Sequence, residues 1–111
     1  MKTIKKQIGF IGIDSGQVLL CDPCYIDSHW HHPTEEESLD YDFEKKKFKG
    51  QFSYAGCANA SLNENQGGQL NYDKKNEGAG VVCTTGWGDG CYPVYAYYKE
   101  GRITKVEINF I

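Results

Sequence analysis

The stretch from Gly80 to Phe110 constrains the fold of this 111-residue chain more than any other part of it. It reads GVVCTT, GWGDG, CYPVYAYYK, EG and RITKVEINF in succession. Val, Thr and Tyr suit a pleated, half-buried surface, while Gly and Asp supply the backbone angles of sharp turns. The pattern predicts a meander of three strands and two tight turns, with Trp87 and Asp89 at its first corner. In the last run Thr104, Val106, Ile108 and Phe110 alternate against Lys105, Glu107 and Asn109, as in a strand with one buried face. In the run before it both alternating sets are apolar: Tyr92, Val94, Ala96 and Tyr98 on one face, Cys91, Pro93, Tyr95 and Tyr97 on the other. Such a strand is covered on both sides or bares an aromatic face, and Pro93 puts its early part at an edge or a bulge.

The rest of the chain reads as further strands with poorer punctuation. Residues 4–13, IKKQIGFIGI, form a strand in which Gly9 and Gly12 mark a bulge or a close backbone approach. The DSG turn at 14–16 and QVLLC after it complete an expected hairpin. Asp22-Pro23 breaks the ladder, and Cys24 to Asp27 resumes as extended chain. SHWHHP at 28–33 is a loop with an exposed tryptophan, Trp30. Thr34 followed by Glu35, Glu36 and Glu37 has the form of a helix start, the helix ending by about Leu39 to Asp42. FEKKKFKGQFSY, from Phe43 to Tyr54, is expected as one strand or two hinged at Gly50, with Phe48, Phe52 and Tyr54 facing inward. An Asn- and Gly-rich connector follows, anchored by Leu70 and Tyr72, in which Ala58 to Leu62 is either loop or a small-residue strand. Together these predict a single domain over residues 1–111. It is mainly β, an antiparallel sandwich or partly open barrel with at most one short helix.

Charge and cysteine usage narrow the function. The net charge is −3 and one of twelve basic residues is an arginine, so the basic footprint of a polymeric nucleic-acid binder is missing. Lys45, Lys46, Lys47 and Lys49, preceded by acids, read as a solvated face. No apolar run is long enough to span a bilayer and no apolar leader follows the N-terminal lysines, so a cytoplasmic, membrane-free protein is expected. Five cysteines cannot all pair, which suggests reduced thiols. Cys21 and Cys24 form a CxxC without a second pair, so they fall short of a zinc signature even with His29, His31 and His32 nearby. Neither metal nor cofactor is expected, although a zinc-stabilised domain stays among the alternatives.

No nucleophile elbow, P-loop or HExxH motif is present, and GWGDG precedes a strand rather than a helix that would lend it a dipole. A non-catalytic binding protein for a small polar or nucleotide-like ligand fits better. Trp87, Tyr92 and Tyr95 supply rings for stacking. Thr84, Thr85, Gly88 and Asp89 supply hydroxyls, a turn amide and a carboxylate, with Asp22 and Tyr25 lining the same pocket. The bland alternative is that the tyrosines fill a core and Asp89 fixes a turn. A protein-interaction module anchored by Trp30 and the tyrosines is the other class, and a homo-oligomer through an open sheet edge suits either.

DSGQVLLCDPCYI, together with GWGDGCYPVY and a final short strand, resembles a family of small bacterial and phage proteins of uncharacterised function. The resemblance covers residues 1–27 and 80–111 and implies no catalytic residue. The chain is also similar to small phage-encoded β-proteins that sequester cyclic nucleotide signals of antiphage defence. That similarity implies a cyclic dinucleotide as ligand and assigns no residue to holding it.

Overall fold

A computed structural model describes residues 2–34, 42, 44, 46–72 and 77–111. It is mainly β, with two three-stranded antiparallel sheets, neither of them closed. The strands are β1 (Ile4–Ile13), β2 (Gln17–Cys21), β3 (Gly67–Asn71), β4 (Glu77–Thr84), β5 (Gly90–Lys99) and β6 (Arg102–Ile108). Described helix is limited to a single turn, α1 (Ile26–His29), the seven-residue α2 (Tyr54–Ala60), and 3-10 turns at Pro23–Tyr25 and Lys46–Phe48. The chain divides into two compact units, Met1–Gln17 with Thr85–Ile111, and Val18–Thr84.

The first unit holds the sheet β1-β5-β6. β5 and β6 are joined by Glu100 and Gly101, both at positive φ (54° and 75°), the angles a two-residue hairpin turn of matching twist requires. β1 lies antiparallel on the other side of β5, with a bulge between Gln7 and Gly9 where the sequence places glycine. Pro93 sits in β5 opposite Phe10, just past Ile108 where β6 has ended, so its missing amide interrupts no ladder on that side.

The expected meander and the first hairpin do not form. β4 belongs to the sheet β2-β4-β3, so GWGDG leads from one sheet to the other, and β1 and β2 are likewise in different sheets. The hydrogen bonds show why. The Thr85 amide donates to the Gly16 carbonyl at 2.9 Å, so the DSG turn and the GWGDG corner bond to each other instead of each closing a hairpin. Hydrophobic alternation specifies which face a side chain occupies and is silent about which strand lies beside it. The cysteines on either side of that corner part company with it: Cys83 pairs with Gly67 and Cys91 with Gly12.

The register places Lys5, Tyr97 and Lys105 in one row across the sheet and Gln7, Tyr95 and Glu107 in the next, which gives β5 the bared aromatic face. Lys5 lies 4.5 Å from the Tyr95 ring centroid, Lys105 lies 4.3 Å from that of Tyr97, and Lys5 pairs with Glu107 at 3.3 Å. The Tyr97 hydroxyl donates to the Glu107 carboxylate. That bond, with Lys5 beside it, holds the Glu107 carboxyl below its ordinary value of 4.5. A depressed acid contributes stability that is present above its unfolded pKa and lost as pH falls through the native one. Urea midpoints of wild type are therefore expected to exceed those of Glu107→Gln above pH 4.5, the gap closing as pH drops further. A gap independent of pH would remove this reading. On the opposite face Val106 stays 53 % exposed and Ile103 55 %, so β6 is less covered than its alternation implies.

The second unit carries the larger core: Phe52, Cys57, Leu70, Ala79 and Val82, with Leu19, Cys21, Tyr25, Trp30, Ala60 and Tyr72 packed against it. Leu70 and Tyr72 thus anchor the Asn-rich connector as its sequence suggests. Other expectations change here. The helix start at Thr34 leads into residues 35–41, outside the described set. In its described part, the strand expected over Phe43–Tyr54 is a 3-10 turn followed by two isolated bridges, His31 with Ser53 and Gln51 with Asn71. Tyr54–Ala60 is helix rather than loop or strand. Ser53 caps it, its hydroxyl accepting from the Gly56 amide at 2.9 Å. Trp30, expected exposed, is half-buried edge-on to Phe52 with ring centroids 5.0 Å apart. Cys24 to Tyr25 and Ile26 to Asp27 coil into the 3-10 turn and α1 instead of extending.

Candidate functional site

The candidate site lies in the second unit, along the segment Gly50–Ser53. That segment is held between two neighbours by backbone bonds. The His31 amide donates to the Phe52 carbonyl at 2.8 Å, and the Asn71 amide donates to the Gly50 carbonyl at 2.7 Å. Upstream, the Lys46–Phe48 turn closes through Lys49 N–H to the Lys46 carbonyl (3.1 Å) and Gln51 N–H to the Phe48 carbonyl (3.0 Å). Phe48, 2 % exposed, pins this turn, and Lys47 spreads its ammonium 4.9 Å from the Phe48 ring. These bonds set His29, His31, Lys47, Lys49, Tyr72 and Asn71 around a cavity of about 380 Å³ whose floor includes Phe52. Among the described residues lining it there is no carboxylate.

One wall is aromatic. Tyr72, His29 and Tyr25 pack mutually, with ring centroids 4.6 Å apart for Tyr25 and Tyr72, 5.2 Å for Tyr25 and His29, and 5.5 Å for His29 and Tyr72. The His29 Nδ1 is 2.7 Å from the Ser28 hydroxyl. Partial desolvation, with Tyr25, Asp22 and Cys24 around it, raises the pKa of the Tyr72 phenol, so it stays a protonated donor at neutral pH. A second cavity, of about 460 Å³, is lined by Lys49, Gly50, Asn59, Ala60, Asn63, Gly68, Gln69 and Asn71.

None of the nine residues singled out from the sequence lines either cavity. Asp22, Tyr25 and Thr84 fall in the second unit, and Thr85, Trp87, Gly88, Asp89, Tyr92 and Tyr95 in the first. Asp22 caps the Pro23–Tyr25 turn, its carboxylate accepting from the Cys24 amide at 3.1 Å. Tyr25 comes nearest the site, through Tyr72. Thr84 is tied to Gln66 by its hydroxyl (3.0 Å) and its amide (2.9 Å). The hydroxyls of Thr85 and Tyr92, both buried, donate to the same acceptor, the Gly88 carbonyl, the latter at 2.7 Å. These two side chains build the GWGDG corner. Trp87, 75 % exposed, and Asp89 stand on it toward solvent. Tyr95 lies on the lysine-bearing face of β5.

The thiols are placed as small core and surface groups. Burial pushes the Cys57 thiol up to about 12 and also raises Cys21 and Cys24, away from the thiolate that redox chemistry needs. Among the described residues no three of His, Cys, Asp and Glu come together as a metal site, and no helix is long and apolar enough to cross a membrane.

Lys47, Lys49, His29 and His31 were all visible in the sequence, yet nothing there linked them. The lysines read as a solvated run and the histidines as loop. Their meeting depends on the His31–Ser53 and Gln51–Asn71 bridges, which no periodicity announces.

No curated protein and no solved structure matches the chain. A family model described as a protein of unknown function, DUF4241, matches residues 6–108. That match takes in both glycine-cornered motifs and the cavity-bearing unit alike, and the chain accordingly belongs to the DUF4241 family.

Proposed function

We propose that this chain is a non-catalytic binding protein for a small anionic ligand, held in the cavity framed by His29, His31, Lys47, Lys49 and Tyr72. The observation that carries the reading is the lining of that cavity: two lysines and two histidines, with no carboxylate among the described lining residues. Its volume falls within the range of small-molecule sites, and the Tyr72 phenol and Asn71 amide add directional donors. A nucleotide is the sharper form of the ligand. A cyclic dinucleotide, removed from a signalling pathway by sequestration, is the form suggested by the resemblance to phage β-proteins.

The test is isothermal titration calorimetry of the full chain with inorganic phosphate, nucleoside monophosphates and cyclic dinucleotides at two salt concentrations. Binding is expected for at least one of them, weaker at high salt and reduced about tenfold by Lys47→Ala, or about 1.4 kcal/mol. Silence across the panel would sink the proposal. Trp87→Ala is run beside it: if that variant loses binding while Lys47→Ala keeps it, the site is the GWGDG corner instead.

A protein-interaction module is the second reading, favoured by Trp87 standing 75 % exposed on a corner fixed by two buried hydroxyls. Sedimentation velocity of wild type and Trp87→Ala tests its self-associating version, and a monomer in both removes that version.

A further inference from the structure

We infer that the two cavities of the second unit are lobes of one site, and that its ligand is a phosphorylated nucleoside. The phosphate enters the lysine–histidine lobe and the base enters the carboxamide lobe. This rests on the anion-binding reading above and specifies the ligand it leaves open.

Both cavities are lined by Lys49, Gly50 and Asn71. The shared wall includes Gly50, a position that takes no side chain. Its φ is +73°, and a β-carbon there would lie 2.8 Å from the Asn71 Nδ2. Lys49, exposed and long, reaches into either lobe from that wall.

The lobes differ in chemistry. The first gathers Lys47, His29 and His31 beside the shared lysine. The second, Lys49 apart, is uncharged and rich in carboxamides: Asn59, Asn63, Gln69 and the shared Asn71. Asn63 is structural, its Nδ2 donating to the carbonyls of Ala60 (2.8 Å) and Gly67 (3.1 Å), so it fixes the end of α2 against the start of β3. Gln69 is exposed in β3 at the lobe's rim. A carboxamide presents a donor and an acceptor side by side, the pattern that matches the edge of a base. Inorganic phosphate would engage only the first lobe and leave Gln69 and Asn71 without a ligand contact, and an uncharged nucleoside would not engage Lys47. A compound carrying both groups satisfies both lobes.

The experiment compares inorganic phosphate, the four common nucleoside monophosphates and the nucleoside of whichever binds best. Calorimetry is run on the full chain and on Lys47→Ala and Gln69→Ala, each checked for folding by circular dichroism. The nucleotide is expected to bind more tightly than either phosphate or the nucleoside. Lys47→Ala should weaken phosphate and nucleotide alike. Gln69→Ala should weaken the nucleotide about three- to tenfold, one hydrogen bond's worth, and leave phosphate unchanged. The two-lobe inference is overturned if Gln69→Ala leaves nucleotide affinity intact, if it weakens phosphate equally, or if phosphate binds as tightly as the nucleotide. In each of those cases the anion site survives. If neither phosphate nor any nucleotide binds, the anion site itself fails.

Discussion

Replacing Gly56 by alanine is expected to destabilise the protein by about 3 kcal/mol, the top of the usual range for over-packing. Gly56 is buried in α2, and a β-carbon there would lie 1.7 Å from the Gln51 carbonyl oxygen and 2.7 Å from its carbonyl carbon. These are backbone atoms, so no rotamer change relieves the clash. Nor can Gln51 retreat cheaply. Its carbonyl accepts from the Ser53 amide at 3.0 Å, its side chain accepts from the Ser53 hydroxyl at 2.6 Å, and its backbone bridges to Asn71. The control is Gly86→Ala, where nothing lies within 4 Å of the added carbon and φ is ordinary. It should shift stability by no more than about 0.5 kcal/mol. Urea denaturation of both variants decides the matter, and equal midpoints would show that the α2–Gln51 contact is not tight. Because Gln51 and Phe52 line the first cavity, the same variant should lose anion affinity although Gly56 touches no ligand.

How far the fold was legible in the sequence follows from what each signal encodes. The β5–β6 hairpin was readable because Glu100-Gly101 is a local signal with a local outcome. The bulge near Gly9 and the two-faced character of β5 were readable for the same reason. Strand partners were not. Val82 and Tyr92 belong to strands joined by one short corner, yet those strands are in different sheets, because the Gly16 carbonyl takes the Thr85 amide. α2 was missed because its residues, Tyr-Ala-Gly-Cys-Ala-Asn-Ala, bury a narrow face of small side chains, and a seven-residue helix gives too little periodicity to register. The Ser53 cap was its one local marker. At the site, aromatic and glycine content drew attention to Trp87, Tyr92 and Asp89, whereas the cavities belong to residues that composition classes as solvated loop. Thr85 and Tyr92 carry polar groups for an internal reason: both satisfy the Gly88 carbonyl.

Phe52→Ala is expected to cost about 3–5 kcal/mol, the range for deleting a buried aromatic ring. Phe52 is 2 % exposed and belongs to the core with Cys57, Leu70, Ala79 and Val82, while Trp30 meets its ring edge-on. It also lines the first cavity, and its carbonyl holds the His31 amide. Core packing and the cavity wall therefore share one residue, and a change that loosens the first should reshape the second. Phe52→Leu keeps an apolar group in the space and should lose less on both counts. Equilibrium unfolding and phosphate titration of the two variants separate the possibilities. A stability loss under about 1 kcal/mol for Phe52→Ala would show that the core tolerates the space, against its burial. A large loss of stability with phosphate affinity unchanged, measured in conditions where the variant is still folded, would assign the wall to the backbone bonds at Gly50 and Phe52. If affinity falls in proportion to the volume removed, the ring itself positions His31 and Gln51, and the histidines of the site owe their placement to the same packing that stabilises the second unit.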